Sequence, residues 1–195
     1  MRYILRPAVT LFITAAVVVA LLSFVHTYTL EPIEKQKFKK QEAAMKVIMP
    51  RAAEFKEIHV EKTGSITGVY EAIYSSDVLD DKVLVGYIVQ LSPEGYSGKI
   101  DLIVGISSSE NIIKGIRVLN QTETPGLGAN SVKEKFYSQY NNRDITPLGV
   151  VRNSPGEHDI QAITSSTITT RAITNAVNEA IEWYLGITGE KNEVF

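Results

Sequence analysis

The hydrophobic positions follow two patterns, and the first is one long apolar run near the start of the chain. From Pro7 to Leu30 the sequence has no acidic or basic residue apart from His26. About 24 helical residues with a rise of about 1.5 Å each extend roughly 36 Å, which exceeds the roughly 30 Å of a bilayer's hydrocarbon core. The pattern therefore predicts a membrane-spanning helix.

A cleaved signal peptide is the competing interpretation of this run. Arg2 and Arg6 provide the basic start that such peptides have. The apolar run is long for a signal peptide, however, and no cleavage site of the A-x-A kind follows it. We therefore favour an uncleaved anchor.

The segment after the anchor is rich in helix formers. Pro32 permits a new helical segment to begin, and the run from Glu34 to Met49 ends before Pro50. We interpret this run as a stalk with a lysine-rich face near the lipid headgroups. The predicted organisation is an N-terminus and transmembrane helix at 1–30, a juxtamembrane helical stalk at 31–50 and a globular domain at 51–195.

Beyond Pro50 the pattern changes to short β-branched runs separated by turn residues. Apolar positions alternate at Ile100, Leu102, Val104 and Ile106, as in a half-buried strand. Strands that follow one another with short turns form antiparallel sheets. Four strands are predicted, at Ile66–Tyr74, Val83–Leu91, Lys99–Ile106 and Ile112–Leu119.

Two helices are predicted after these strands. The first, Ser131–Tyr140, begins with a capping box formed by Ser131 and Glu134. The second, Thr167–Leu185, has a broad apolar stripe, which includes Ile168 and Leu185, and ends at Gly186. Antiparallel sheet and packed helices together predict an α+β domain.

Composition excludes several kinds of chemistry. The 195-residue chain has no cysteine, which excludes a thiolate nucleophile, a zinc ribbon and a protein-held iron–sulfur cluster. Its three histidines lie far apart in sequence, so a histidine-rich metal site is a poor prediction. Residues 51–195 carry thirteen basic and nineteen acidic residues, a net charge of −6, and such a domain repels nucleic acid. Redox chemistry in this chain therefore needs an organic cofactor.

The first candidate site segment is Glu123-Thr-Pro-Gly-Leu-Gly128, between the last predicted strand and the next helix. Gly126 and Gly128 permit positive φ angles and a close approach of the backbone to a ligand. A dinucleotide-binding fingerprint needs a third glycine where Ser131 stands, so the segment is not a Rossmann motif. Taken alone, the segment is better interpreted as a plain strand-to-helix connection that needs glycine.

The second candidate segment, Ile163 to Thr170, is rich in hydroxyl groups and directly precedes the last helix. Five of the six residues from Thr164 to Thr169 carry a hydroxyl, and helix capping accounts for one of them. Free N–H groups and the helix dipole make this position favourable for a phosphate. The segment lacks the Gly-x-Ser-x-Gly and Ser-x-x-Lys patterns of serine nucleophiles. We therefore predict an anion site.

The third segment is Gly95-Tyr-Ser-Gly-Lys-Ile100, whose glycines indicate a tight hairpin. Tyr96 in this turn is able to stack on a ring, although a surface tyrosine is the plainer interpretation.

The order and spacing of these segments resemble one protein family. The stretches GYSGKIDLIVGIS, ETPGLGA and ITSSTITT, the last followed by an alanine-rich helix, resemble the G subunits of Rnf-type ion-translocating ferredoxin:NAD oxidoreductases. That family is related to the C subunits of sodium-pumping NADH:quinone reductases. The resemblance covers the anchor and, most specifically, Tyr87 to Leu185. It implies an electron-carrying protein with an FMN-binding domain and no substrate turnover of its own.

The resemblance also implies the flavin-site residues. In the family, a signature of the form D-x-x-S/T-G-A-T ends in a threonine that carries FMN through a phosphoester bond. On this chain the modified threonine corresponds to Thr167, with Thr164 as the alternative attachment residue. Gln161 and Ser165-Ser166 replace the signature's Asp and Gly-Ala. The other cofactor-binding residues implied are Ser165, Ser166, Thr169, Glu123, Thr124, Gly126, Leu127 and Gly128; the backbone of 124–128 is expected to face the ring, and Glu123 is expected to be mainly structural.

Partners and location follow from the same resemblance. It implies other membrane and redox subunits of one complex, a flavin transferase for maturation, membrane lipid and no nucleic acid. It places the N-terminus in the cytoplasm and the domain on the outer face of the cell membrane. Three alternatives stay open: a membrane-tethered binding or scaffold module without flavin, a stand-alone extracytoplasmic flavin reductase, and the C subunit of a quinone reductase. The short chain favours the Rnf-type family over the quinone-reductase type by resemblance only.

Overall fold

The first helix extends well beyond the predicted transmembrane run. The computed structural model describes residues 2–60, 63–75 and 82–192, and helix α1 runs without interruption over Arg2–Ile48. The prediction that a new helical segment begins near Pro32 is therefore wrong, because this proline lies inside α1. A proline within a helix costs about 3 kcal/mol. Good helix formers on both sides of Pro32 offset that cost.

Helix α1 is long and apolar enough to cross a membrane. Within the described residues it is the one helix with that length and composition. Its large apolar side chains, such as Phe12, Leu22 and Phe24, are exposed. An exposed apolar surface of this extent marks a face that contacts lipid or another protein. The chain divides into two compact units between Glu42 and Ala43, and this apolar stretch lies in the first.

The second unit is built on a six-stranded antiparallel sheet. Each strand pairs with the next one in sequence, so the sheet is a meander. The four predicted strands are confirmed, with small differences at their ends. The strands are β1 (Glu54–Ile58), β2 (Ile66–Ser75), β3 (Lys82–Leu91), β4 (Ile100–Ser107), β5 (Ile112–Gln121) and β6 (Arg143–Asp144).

Four strands were not predicted. The edge strand β1 reads EFKEI, and only Phe55 and Ile58 in it are partly buried, so its apolar signal is weak. Strand β6 has two residues. Strands β7 (Gly149–Val151) and β8 (Asp159–Gln161) form a separate parallel pair. Strands this short do not carry a readable period.

Helix α3 (Thr167–Asn192) covers one face of the sheet and forms the main core with it. The predicted start of this helix is confirmed, whereas its predicted end at Gly186 is wrong, because the helix continues past the glycine. Glycine inside a helix costs only about 1 kcal/mol, which the surrounding turns offset. The apolar stripe is also narrower than predicted, since Ile168 and Leu185 are exposed. The buried residues of α3 include Ile173, Ala176, Val177, Ala180, Ile181 and Tyr184.

The other face of the sheet is covered by the end of α1. Met45, Ile48 and Met49 are buried there in a second apolar cluster with Ala52, Ala72, Ile88 and Ile103. A Cβ atom on Gly105 of β4 would collide with Ile48, so the helix lies directly against the strand. Residues 43–49 therefore belong to the second unit, to whose core they contribute Met45, Ile48 and Met49, although the predicted domain boundary lies after them.

The helix predicted at Ser131–Tyr140 is wrong in form. The segment contains the 3₁₀ turns Gly128–Val132 and Ser138–Tyr140, with one α-helical turn, α2 (Glu134–Tyr137), between them. The capping box is absent, because Lys133 is the N-cap of α2 and no side chain caps this turn. Phe136 and Tyr140 are buried in the main core. Burial of these two rings outweighs the local helix signal.

Candidate functional site

The three candidate segments meet at one cavity beside the start of α3. The cavity has a volume of about 430 Å³, which lies in the range of small-molecule sites. The hairpin between β3 and β4, the loop after β5 and the first turn of α3 each contribute to its wall. Its lining residues are Tyr96, Glu123, Thr124, Leu127, Gly128, Arg152, Ser165, Ser166, Thr167, Ile168 and Thr169.

The loop after β5 turns sharply to reach the cavity. Gly126 has a φ of +79°, a conformation that favours glycine. The N–H groups of Leu127 and Ala129 both donate to the carbonyl of Thr124, which closes the turn. A Cβ atom on Gly128 would collide with the Glu123 carboxylate and lie 2.6 Å from Thr169 Oγ1. The second glycine is therefore required by close packing.

Glu123 connects the three segments. Its side chain is 5% exposed. Oε1 accepts hydrogen bonds from the backbone N–H groups of Tyr96, at 2.8 Å, and Ser97, at 2.9 Å. Oε2 accepts a hydrogen bond of 2.6 Å from the Thr169 hydroxyl. One buried carboxylate thus holds the hairpin and the first turn of α3 at a fixed separation.

The first turn of α3 faces the cavity with free donors. The N–H of Thr170 donates to Ser166 O at 3.1 Å, which is the first bond of the helix. Within the described chain, the N–H groups of Thr167, Ile168 and Thr169 have no acceptor. Unpaired N–H groups and the helix dipole together attract an anion.

The hydroxyl groups of this region have different roles. Thr169 donates to Glu123, and Thr170 donates to Ser166 O and accepts from the N–H of Ile163. The hydroxyl of Thr167 forms no hydrogen bond with any described residue. Thr167 is partly buried and lines the cavity, so the residue lies beside the space a ligand would occupy.

Ser165 precedes the helix in a left-handed conformation, with a φ of +60°. A left-handed backbone favours glycine and costs about 1 to 2 kcal/mol with any other side chain except Asn or Asp. The strained residue is exposed and lines the cavity. The family signature that this segment resembles has glycine at the position of Ser165. The left-handed backbone of Ser165 gives a physical reason for that glycine.

Two predicted site residues lie outside the main cavity. Gly126 and Thr164 line a neighbouring cavity of about 430 Å³, together with Lys133, Lys135 and Gln161. Thr164 is exposed, and it also lines a smaller space that it shares with Thr167. The other eight predicted site residues all line the main cavity.

The structure adds residues to the cavity that the sequence prediction omitted or ranked low. Arg152 follows strand β7 and lines both the main cavity and the space beside Thr164. Tyr96 and Ile168 are 71% and 55% exposed and form apolar parts of the wall with Leu127. No local motif marks Arg152. Its position depends on the parallel pairing of β7 with β8, which the sequence does not reveal.

Two family models match the chain. The FMN-binding domain model matches residues 95–182, and this range contains every residue that lines the main cavity. The model of the RnfG N-terminal region matches residues 1–48, which end where α1 ends.

The chain is similar to named G subunits of translocating oxidoreductase complexes. The G subunit of the ion-translocating oxidoreductase complex of Methanosarcina acetivorans is 31% identical over 185 residues, covering 93% of this chain and 95% of that protein. The G subunit of the Na(+)-translocating ferredoxin:NAD(+) oxidoreductase complex of Acetobacterium woodii is 31% identical over 197 residues, covering 96% and 94%.

A solved structure has the same fold. The C subunit of the Na(+)-translocating NADH-quinone reductase of Parabacteroides distasonis has a TM-score of 0.57 and 19% sequence identity. The match covers 80% of this chain and 95% of that one. This likeness confirms the α+β prediction.

Proposed function

We propose that this chain, which belongs to the G-subunit family of ion-translocating oxidoreductase complexes, carries FMN covalently on Thr167 and relays electrons within such a complex. The observation that carries this proposal is the Thr167 hydroxyl. Thr167 is the first residue of α3 and lines the cavity, and its hydroxyl has no hydrogen-bond partner in the described chain.

The competing hydroxyl groups are less suitable for attachment. Those of Thr169 and Thr170 are already donors to protein oxygens. Ser166 is 7% exposed, so a phosphorus atom has little access to its oxygen. Thr164 is exposed but lies outside the main cavity. These contacts support Thr167 as the attachment residue and make Thr164 the weaker alternative.

The surroundings of Thr167 suit a phosphate. The free N–H groups of the first turn of α3 place partial positive charge at the N-terminus of the helix, where Thr167 lies. Ser165 and Ser166 adjoin it, and the guanidinium of Arg152 brings a full positive charge to the same cavity. Charge-assisted hydrogen bonds from arginine to phosphate are among the strongest in proteins. In our proposal these groups hold the phosphate after it is attached.

The rest of the cavity suits a flat aromatic ring. Tyr96, Leu127 and Ile168 leave apolar surface exposed at its wall, and one comes from each of the three segments. Burial of that surface by a ring is favourable by about 25 cal/mol per Å². Thr124, Leu127 and Gly128 of the loop also line the cavity, and Gly128 allows the loop to pack against Glu123 and Thr169. Bound FMN supplies uptake and release of single electrons, and the chain's own residues fix its position and exclude other orientations.

The proposed assembly follows from the anchor. The exposed apolar surface of α1 packs against lipid and against other membrane and redox subunits of the complex. The N-terminus lies in the cytoplasm and the domain lies on the outer face of the membrane. A flavin transferase attaches the cofactor there, and the covalent bond prevents its loss to an outside medium that holds no flavin pool.

In-gel fluorescence under ultraviolet light, after denaturation, tests the attachment. The full chain and its Thr167→Ala and Thr164→Ala variants are produced together with a flavin transferase. We expect the wild type and Thr164→Ala to fluoresce and to gain the mass of one FMN less one water. Thr167→Ala is expected to be dark, with the mass of the bare sequence. Fluorescence that survives in Thr167→Ala would refute the assignment.

A wild-type chain that is colourless and has the mass of the bare sequence, with the transferase present, would instead support a flavin-free scaffold. Copurification with other membrane subunits separates an electron relay within a complex from a stand-alone flavin reductase.

A further inference from the structure

We propose that Glu123 is the positioning residue of the flavin cavity and that its buried negative charge lowers the reduction potential of the flavin. This inference rests on the proposed FMN site. It concerns a residue that the sequence suggested to be mainly structural.

The first observation is the span of the Glu123 contacts. Oε1 binds two N–H groups of the hairpin that carries Tyr96, and Oε2 binds the hydroxyl of Thr169, two residues after Thr167. The attachment residue and the apolar wall of the hairpin are therefore connected through a single side chain. A change in this side chain alters the distance between the point of attachment and the wall that faces the ring.

The second observation is the absence of spare room around the carboxylate. A Cβ atom on Gly95 would lie 2.5 Å from Oε1, and one on Gly128 would collide with Oε2. Both neighbours must therefore be glycine for the carboxylate to fit. The two glycines leave room for the carboxylate, and its three hydrogen bonds hold the charge in place.

The third observation is the nature of its partners. All three donors are neutral groups, and Glu123 forms no ion pair within the described residues. Its charge is thus held by hydrogen bonds and is not cancelled by a contacting cation. The carboxylate lines the same cavity as Thr167, so its field reaches whatever the cavity holds.

The electrostatic consequence has a definite sign. Adding two electrons and one proton to an oxidised flavin ring leaves one net negative charge on the ring. A fixed negative charge nearby opposes that change, so it makes the reduced form less stable and the potential more negative. Arg152, with the opposite charge at the same cavity, acts in the opposite direction.

A spectroelectrochemical titration of the flavin-loaded full chain tests the charge effect. Glu123→Gln keeps the shape of the side chain and one acceptor oxygen while it removes the charge, so we expect a shift to a more positive potential. Arg152→Gln is the matched variant of opposite sign, with an expected shift to a more negative potential. Lys56→Gln removes an exposed charge from β1, away from the cavity lining, and is expected to keep the wild-type potential. An unchanged potential in Glu123→Gln, or shifts of the same sign in both charge variants, would overturn the inference.

The intact mass of each chain is measured first. A wild type without flavin would refute the proposed function and this inference with it, whereas flavin-loaded variants with unchanged potentials would refute only the inference.

Hydrogen exchange on the flavin-free chain tests the positioning role separately, including the case in which a variant accepts no flavin. Replacement of Glu123 by Ala removes the acceptor of two amides. We expect the N–H groups of Tyr96 and Ser97 to exchange at least tenfold faster, while the amides of β4 keep their wild-type protection. Unchanged protection at Tyr96 and Ser97, or a uniform loss across the whole sheet, would contradict a positioning role.

Discussion

The hydroxyl of Thr169 donates a hydrogen bond of 2.6 Å to Oε2 of Glu123, although 46 residues of sequence separate the two. The same carboxylate accepts two backbone N–H groups of the β3–β4 hairpin. Hydrogen bonds to a charged, buried acceptor contribute about 1.5 to 3 kcal/mol each. The geometry of the cavity therefore depends on a small number of contacts that substitutions can address individually.

Gly128→Ala is expected to destabilise the domain. The added methyl group meets both Glu123 and Thr169, and overpacking of this kind costs about 1 to 3 kcal/mol. Urea unfolding of a fragment that begins at Ala43 measures the loss. Gly186→Ala is the matched control, because nothing lies within 4 Å of its added Cβ atom. Alanine at this helical position is expected to add about 0.5 to 1 kcal/mol of stability. Equal effects of the two substitutions would contradict the packing argument.

The start of a soluble fragment is expected to determine its stability. A fragment that begins at Ala43 keeps Met45, Ile48 and Met49 on the second face of the sheet, whereas one that begins at Arg51 exposes that face. Burial of each such side chain contributes about 1.5 to 3 kcal/mol. We expect the shorter fragment to be less stable by several kcal/mol in urea unfolding and to aggregate more readily. Identical midpoints would show that these residues do not belong to the domain.

Ser165→Gly is expected to stabilise the domain slightly or leave it unchanged. Glycine relieves the strain of the left-handed backbone, which raises the free energy of unfolding by about 1 kcal/mol. The greater freedom of glycine in the unfolded chain offsets part of that gain. Ser165→Val is expected to lose more than about 1 kcal/mol, because a β-branched side chain tolerates a positive φ poorly. Thermal unfolding of both variants provides the comparison. Similar stability for glycine and valine would show that the backbone at this residue is not strained.

Tyr140→Phe is expected to change how stability depends on alkaline pH. Burial raises the pKa of the Tyr140 phenol, and its hydrogen bond with Thr174 opposes part of this rise. In the unfolded chain the Tyr140 phenol has a pKa of about 10. The neutral phenol's contribution to the free energy of unfolding is thus fully present below about pH 10. It is lost as the pH rises toward the higher pKa of the folded state.

Unfolding measured at pH 8, 10 and 11 tests this dependence. The wild type is expected to lose more stability than Tyr140→Phe between pH 10 and 11, and the variant is expected to be about 1 kcal/mol less stable at pH 8 because Thr174 loses a partner. Parallel pH profiles would contradict the prediction.

Arg152→Gln is expected to reduce the yield of flavin-loaded chain. The guanidinium contributes the positive side-chain charge on the cavity beside Thr167, and its loss weakens the attraction for a phosphate. The ratio of visible flavin absorbance to protein, after a short period of production with the transferase, measures the effect. Lys56→Gln removes an exposed positive charge from β1 and serves as the control. An equal fall in both variants would indicate a nonspecific effect of net charge.

The sequence predicted the parts of the domain whose periods are long and regular. Strand β4 alternates at Ile100, Leu102, Val104 and Ile106, the other strands from β2 to β5 are β-branched runs between turn residues, and α3 has an apolar stripe along several turns. The existence and type of these elements therefore followed directly. The helix predicted from Ser131 failed for a different reason. A capping box is a local preference of about 1 kcal/mol, whereas the burial of Phe136 and Tyr140 contributes more and imposes broken 3₁₀ and α turns.

The candidate site was predictable where its residues adjoin one another in sequence. The glycine segment and the hydroxyl segment each carry a composition that marks them. Arg152 is different, because it reaches the cavity only through the fold of the β7–β8 region. The role of Glu123 as a connector was also hidden, since its partners lie 26 and 27 residues away on one side and 46 on the other.

These long separations bear on the order in which the protein matures. A nascent chain that has not yet paired β3, β4 and β5 does not hold Glu123 near α3, so Thr167, the proposed attachment residue, lacks its surroundings until the sheet is complete. Under the proposed attachment, loading of the cofactor therefore depends on correct folding of the sheet. Chains arrested before that stage would remain unmodified, and the colour of the protein would report the fraction that has passed it.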